Sequence, residues 1–132
     1  MSNPDTEGRD LKCSIVPFGV KEGDGYWHGR AISLDGTAAT LPVSEADVAE
    51  VLFDYDSGGR WDGDCCAVVR LKDGRLVAWE SWWGPTGTGF LEDAYGGDTD
   101  IYFATDLRLL VNAALSDAMR RSANVPEELW IR

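Results

Sequence analysis

Residues 66–83 read CAVVRLKDGRLVAWESWW, and this stretch decides the fold. Two runs rich in apolar, β-branched and aromatic residues flank Asp73-Gly74, a pair that favours the tight turn of a β-hairpin. A two-residue turn would pair Leu71 with Leu76, and the rest of the register follows from that pair. The remaining pairs are Lys72 with Arg75, Val69 with Ala78, Val68 with Trp79 and Ala67 with Glu80.

Two further elements are predicted upstream of this hairpin. Asp35-Gly36 separates residues 26–34 from residues 37–41, which predicts a first hairpin with the same kind of turn. Ser44 is a helix N-cap followed by apolar residues at helical spacing, which predicts a short amphipathic central helix. Its capping partner is Asp47, and its apolar positions are Val48, Val51, Leu52 and Tyr55.

The C-terminal part predicts a strand at residues 101–104 and a helix capped by Thr105, with a bend and restart at Ser116-Asp117. Pro126 suits the first position of a last helical turn. The fold class is therefore α+β: a small antiparallel sheet with two hairpins, packed by a central short helix and a C-terminal helix. We expect a flexible arm at residues 1–10 and one domain over residues 11–132.

The charge of the chain limits its partners. Asp and Glu number 23 against 12 Lys and Arg, so the formal net charge is −11. Such a chain repels the phosphate backbone, which argues against direct nucleic-acid binding and favours another protein with a basic surface. No apolar run is long enough to cross a membrane, and no signal-peptide pattern is present, so we expect a cytoplasmic location.

Three cysteines, Cys13, Cys65 and Cys66, form no pattern typical of secreted disulfide frameworks, and reduced thiols are expected. The adjacent pair should point to opposite faces of a strand.

An acidic loop between the central helix and the long hairpin is similar to a calcium-binding EF-hand loop. A solvated acidic loop without a cofactor is the leading interpretation; in the calcium hypothesis the Ca²⁺ ligands would be Asp54, Asp56, Asp62 and Asp64. The pattern is incomplete, because Gly58 and Cys65 occupy positions where ligands are expected.

The second strand of the hairpin carries the other candidate residues. Glu80 lies among apolar neighbours, where a carboxylate with a raised pKa can act as a general acid. The favoured interpretation is a structural carboxylate that is exposed at the strand end or accepts a hydrogen bond from an indole N–H. Alternation places Trp82 on the Glu80 side and Trp79 and Trp83 on the other. Either helices cover these indoles, or one indole face stays open as a binding anchor beside Glu80.

The run from Trp61 to Arg121 resembles small uncharacterised proteins of actinobacteria and their phages. The likeness rests on the D-G-R turn at residues 73–75, the W-x-x-W-W-x-x-T-G segment at residues 79–87 and the strand and helix that follow. The resemblance implies a phage or actinobacterial setting, with the host cytoplasm as the location if a phage encodes the chain. It implies no catalytic residue.

Three functions follow from these features. The leading hypothesis is a non-catalytic acidic accessory protein, phage-associated, that binds another protein. The first alternative is an acidic nucleic-acid mimic that inhibits a host defence or regulatory protein. The second is a small hydrolase, either metal-dependent or carboxylate-based, that uses Glu80 or the loop at residues 54–64.

Overall fold

The architecture comes from a computed structural model that describes residues 11–23, 28–84, 87–88 and 100–131. The expected arm at residues 1–10 lies outside this part of the chain. Its strands are β1 (Lys21–Glu22), β2 (His28–Ser33), β3 (Val48–Asp56), β4 (Gly63–Leu71), β5 (Leu76–Gly84), β6 (Gly87–Thr88) and β7 (Asp100–Ala104). Its helices are α1 (Leu107–Ala114) and α2 (Asp117–Ser122), with short 3₁₀ helices at Glu45–Asp47 and Glu127–Leu129.

The strands form one sheet in the order β1-β2-β7-β5-β4-β3, with β6 paired to β5. The pairs β1–β2 and β2–β7 are parallel, and the other pairs are antiparallel. Residues of α1 and α2 pack on one face of the sheet, and residues 11–20 pack on the other. The predicted α+β class, a small sheet packed by helices, is confirmed.

The long hairpin is confirmed as β4 and β5, but its register differs from the prediction by one residue. The N–H of Leu71 donates to the carbonyl of Arg75 at 2.8 Å, and the N–H of Gly74 donates to the carbonyl of Leu71 at 2.9 Å. The loop therefore has three residues, and Gly74 closes it with a φ of 95° that glycine adopts easily. The observed pairs include Val69 with Val77, Val68 with Ala78, Ala67 with Trp79 and Cys66 with Glu80.

The predicted central helix after Ser44 is wrong. Ser44 and Asp47 do form the capping box, but a single 3₁₀ helix follows and the chain then enters β3. The pairing of β3 with β4 shifts register before Glu50 and again before Phe53. Such irregularities break the two-residue alternation of a strand, so the apolar residues of β3 recur at a spacing that mimics a helix.

The predicted first hairpin at Asp35-Gly36 is also wrong. Residues 37–41 form no strand, and β2 instead pairs in parallel with β7; Tyr26 and Trp27 lie outside the described residues. The Asp35 carboxylate accepts hydrogen bonds from the backbone N–H groups of Thr105 at 2.9 Å and Asp106 at 3.2 Å. The Asp35 side chain thus binds the start of α1, and the turn at Asp35-Gly36 does not lead into a second strand of a hairpin.

The C-terminal elements follow the prediction closely. The strand at residues 101–104 is β7, and Ser116 is the N-cap of α2, where the restart was expected. The cap of α1 is Asp106 and not Thr105, because the Asp106 carboxylate accepts from the N–H of Leu109 at 3.1 Å. Trp130 is half-buried against the helix side of the sheet.

The cysteines differ from the expected reduced state. Cys13 and Cys65 form a disulfide, with Cα atoms 5.1 Å apart and a separation of 52 residues in sequence. This bond ties the N-terminal segment to β4. Cys66 is a buried free thiol on the opposite face, as alternation predicts. None of the helices in the described residues is long and apolar enough to cross a membrane.

Candidate protein-binding surface

The Glu80 carboxylate, the candidate general acid, is engaged by a helix. It accepts hydrogen bonds from the backbone N–H and the hydroxyl of Ser116, both at 3.1 Å. Ser116 is the N-cap of α2, so Glu80 anchors the junction between the two helices to β5. This position is that of a structural carboxylate, because its acceptor oxygen holds the start of a helix.

Glu80 also affects the free thiol on the neighbouring strand. Burial raises the pKa of Cys66 to about 12, and the negative charges of Glu80, Asp54 and Asp64 act in the same direction. Because the thiolate is the reactive form, Cys66 is a structural cysteine at neutral pH.

The first two candidate calcium ligands hold the N-terminal segment. Asp54 accepts from the backbone N–H groups of Lys12 and Cys13, the second at 2.9 Å, and Asp56 accepts from the N–H of Ser14 at 2.9 Å. Burial acts to raise the pKa of Asp56. The hydrogen bonds that its carboxylate accepts from Ser14 and from the N–H of Gly58 nevertheless keep this pKa below its usual value. No group of three or more His, Cys, Asp and Glu side chains placed to hold a metal ion occurs in the described residues.

The three tryptophans of β5 have different environments. Trp79 is fully buried, and its indole N–H donates to the carbonyl of Ile15 at 2.9 Å. Trp83 is half-buried and donates to the carbonyl of Gly59 at 3.2 Å. Trp82 is 49% exposed. Of the predicted binding indoles, Trp79 therefore belongs to the core, and Trp82 is the one that presents a large apolar surface.

A second exposed indole lies at the same end of the hairpin. Trp61, at 73% exposed, belongs to the loop that enters β4. Asp64 is the cross-strand partner of Trp82, so Trp61 lies only three residues from the strand position opposite Trp82. We call Trp61, Asp62, Asp64 and Trp82 the hairpin-end surface. In the sequence, Trp61 begins the run that resembles other small proteins, but no sequence signal indicates that its side chain is exposed.

The loop that carries Trp61 is built from specific contacts. The N–H of Ser57 donates to the carbonyl of Asp64 at 2.9 Å, and the Ser57 hydroxyl accepts from the N–H of Asp64 at 3.0 Å. A Cβ atom on Gly63 would lie 2.4 Å from the Trp83 ring, and one on Gly59 would lie 1.7 Å from the carbonyl oxygen of Asp62. Gly63 is therefore packed directly on the Trp83 ring, and Gly59 on the backbone of Asp62.

The carboxylates of this surface differ from those of β3 in their contacts with the described residues. Asp62 and Asp64 make no side-chain hydrogen bond or ion pair with any other described residue. Both line a depression of about 490 Å³, together with Ser57, Gly59, Gly63 and Trp83. The guanidinium of Arg60 lies 5.4 Å from the centroid of the Trp61 ring. The hairpin end thus combines exposed aromatic surface with negative charge that no other described residue pairs with.

Comparison with known proteins found no matching family model, curated protein or solved structure. The fold and the hairpin-end surface define the chain as an acidic α+β protein with two exposed indoles at one end of its central hairpin.

Proposed function

We propose that this protein is a non-catalytic accessory protein that binds a basic surface of another protein through the hairpin-end surface. The observation that carries the proposal is the exposure of Trp61 and Trp82 at the same end of the hairpin, close in sequence to Asp62 and Asp64. Exposed tryptophans are frequent anchors of protein interfaces, and they bury a large area at little entropic cost.

Electrostatics supports a basic partner. The net charge of −11 gives a long-range attraction to positive surfaces, which speeds association and makes it sensitive to salt. We propose that the protein acts in the cytoplasm of an actinobacterium, because residues 61–121 resemble proteins of actinobacteria and their phages. The Cys13–Cys65 disulfide is more typical of oxidising compartments, so thiol labelling of the protein in intact cells tests that location.

The test is a comparative pull-down from an actinobacterial lysate at low and high salt. Bait proteins are the wild type, the double variant Trp61→Ala/Trp82→Ala and the control Ile131→Ala, which truncates a residue that is 57% exposed elsewhere. We expect one protein retained by the wild type and the control, released by salt and lost with the double variant. Equal retention by the double variant would overturn the proposal.

Nucleic-acid mimicry, the alternative proposal, has less support in the geometry of the acidic residues. A mimic needs a row of free carboxylates in place of phosphates. Asp47 is used in the capping box, Glu50 pairs with Arg70 at 3.3 Å, and Asp54 and Asp56 bind backbone N–H groups. A partner that releases the protein when duplex DNA is added, with Trp61→Ala/Trp82→Ala still bound, would favour the mimic.

The hydrolase alternative rests on Glu80 or on the loop at residues 54–64. Glu80 is committed to Ser116, and Asp54 and Asp56 are committed to the N-terminal segment. A hydrolytic activity that Glu80→Gln removes without loss of folding would favour this alternative over protein binding.

A further inference from the structure

We infer that the depression between the end of α2 and the last helical turn is a binding pocket for a ligand that joins a carboxylate to an apolar group. The depression has a volume of about 730 Å³, which is in the range of small-molecule sites. Its lining residues are Arg121, Asn124, Val125, Pro126, Glu127 and Trp130. They lie outside the hairpin-end surface, so the pocket and the proposed function can be tested separately.

The end of α2 shapes this pocket before any ligand binds. The N–H of Asn124 donates to the carbonyl of Arg121 at 3.1 Å, and that of Val125 donates to the carbonyl of Arg120 at 2.9 Å, which is the Schellman pattern of a helix C-terminus. Asn124 has the left-handed conformation that this pattern requires, with a φ of 59°. The carbonyl of Val125 accepts from the indole N–H of Trp130 at 3.1 Å, which holds the ring in place. A wall that is already in place loses little entropy when a ligand binds.

Three guanidinium groups converge on Trp130. Those of Arg120 and Arg121 lie 4.7 and 5.8 Å from the centroid of its ring, and Arg108 donates to its carbonyl at 3.3 Å. Arg120 is only 8% exposed, and it donates to backbone carbonyls and to Asp117. Arg121 is exposed, and its guanidinium makes no ion pair or hydrogen bond with another described residue. Arg121 therefore brings the donors that a ligand can use.

Local charge favours a singly charged anion in this pocket. Residues 107–132 carry four Arg against three Asp and Glu, whereas the whole chain has 12 Lys and Arg against 23 Asp and Glu. A guanidinium presents a fork of N–H donors that matches the two oxygens of a carboxylate. Glu127 also lines the pocket, and its negative charge opposes a dianion such as phosphate. A monocarboxylate is therefore the expected anion.

The apolar part of the lining determines the rest of the ligand. Val125 is 6% exposed, and Pro126 and the half-buried Trp130 each contribute a ring. An aryl or aliphatic group beside the carboxylate can lie against these surfaces while the carboxylate reaches Arg121. Acetate would leave the apolar wall in contact with water, so it should bind more weakly than a larger acid.

The probes are phenylacetate, its neutral analogue phenylacetamide, and acetate, titrated into the ¹⁵N-labelled full chain and followed by NMR. The indole N–H signal of Trp130 is assigned with the variant Trp130→Phe. We expect phenylacetate to shift this signal with a Kd of roughly 1 mM, and the other two compounds to bind at least about tenfold more weakly. Equal affinity for phenylacetate and phenylacetamide, or no shift with phenylacetate, would overturn the inference.

Two arginines that each lie beside an indole provide a matched pair of variants. Arg121→Gln should weaken the binding of phenylacetate by about tenfold, because charge-assisted hydrogen bonds are lost. Arg60→Gln removes the same charge beside Trp61, where the guanidinium lies 5.4 Å from the ring centroid, and should leave binding within about twofold. Glu127→Gln should strengthen binding by about threefold, because it removes a repulsive charge. If both arginine variants weaken binding equally, phenylacetate responds to net charge and the pocket is wrong.

Two sources supply such a carboxylate: a free small acid, and the C-terminus of a peptide that ends in an apolar residue. The dipeptide N-acetyl-Gly-Phe and its C-terminal amide distinguish them. Tighter binding of the peptide acid than of phenylacetate identifies a chain terminus as the ligand, and weaker binding identifies a free acid; both results support the pocket. An amide that binds as tightly as the peptide acid would contradict recognition of the carboxylate by Arg121.

Discussion

At the scale of single residues, several acidic side chains link separate segments of the chain through hydrogen bonds. Asp35 joins β2 to α1, Asp54 and Asp56 hold residues 12–14, and Glu80 holds the start of α2. Each carboxylate accepts at least one backbone N–H group from a segment distant in sequence. Three acidic residues that were candidates for a calcium site or for catalysis, Asp54, Asp56 and Glu80, thus have structural roles in the fold.

The substitution Glu80→Gln tests the hydrogen bonds between Glu80 and the N-cap residue of α2, Ser116. The substitution keeps the size of the side chain but removes the charge that strengthens both hydrogen bonds from Ser116. We expect the free energy of unfolding in urea to fall by about 1 kcal/mol. Asp62→Asn, which removes a carboxylate with no partner among the described residues, is the control and should change it by less than about 0.5 kcal/mol. An unchanged urea midpoint for Glu80→Gln would contradict the structural role.

The hydrogen bonds to the Asp35 carboxylate predict that the stability of the protein depends on pH. Hydrogen bonds from Thr37 first, and then from Thr105, hold the pKa of Asp35 well below its usual value of about 4. A lowered pKa in the folded state stabilises the protein fully above the unfolded pKa, and that stability declines as the pH falls from the unfolded pKa towards the lower folded pKa. Asp35→Asn should therefore destabilise the protein more at pH 7 than at pH 3. Equal destabilisation at the two pH values would show that the charge does not contribute.

Cys66 provides a third test at this scale. With its pKa raised to about 12, the thiol should react with iodoacetamide at pH 8 at least about 100-fold more slowly than free cysteine. Unfolding in urea should restore the normal rate. Fast labelling of the oxidised native protein would mean that the thiol is exposed or ionised.

At the scale of elements, the disulfide and the hydrogen bonds to Asp54 and Asp56 fix the N-terminal segment across one face of the sheet. Replacing both Cys13 and Cys65 with serine frees a loop closed by residues 52 apart, which should cost about 4 kcal/mol of stability in the chain-entropy account. Denaturant melts with and without reductant measure this. Reductant should lower the wild-type midpoint and leave that of the double variant unchanged; a wild-type midpoint that ignores reductant would contradict the tether.

The elements also show which parts of the fold can be predicted from the sequence. The long hairpin, β7 and the break between α1 and α2 depend on local signals, and all were predicted. The register was missed because the G1 bulge at Gly74 adds one residue to the turn. The strand β3 was predicted as a helix because its register shifts disturb the alternation, and the parallel pair of β2 and β7 joins residues about 70 apart.

The candidate site was only partly predictable, for a related reason. Residue type and alternation correctly assigned Trp82 to one side of β5 and Trp79 to the other, but exposure depends on what the distant segments cover. Ile15 and Phe18 come from the N-terminal segment to bury Trp79, and no described residue covers Trp61 in this way. Which carboxylates bind other parts of the chain, as Asp54 and Asp56 do, depends in the same way on the whole structure.

At the scale of the whole molecule, the net charge of −11 sets both stability and binding. Repulsion among like charges opposes the compact state, and salt screens it over a Debye length that falls from roughly 20 Å at 0.02 M to about 4 Å at 0.5 M. We expect NaCl raised over that range to increase the thermal midpoint by about 3 to 5 °C, the shift that about 1 kcal/mol produces in a domain of this size. Calcium chloride at matched ionic strength separates screening from binding. An increase beyond that given by NaCl, abolished by chelator and by Asp62→Asn/Asp64→Asn, would mean that the loop at residues 54–64 holds Ca²⁺. A midpoint that falls with NaCl would instead mean that attractive pairs, such as Arg30 with Asp100, outweigh the repulsion.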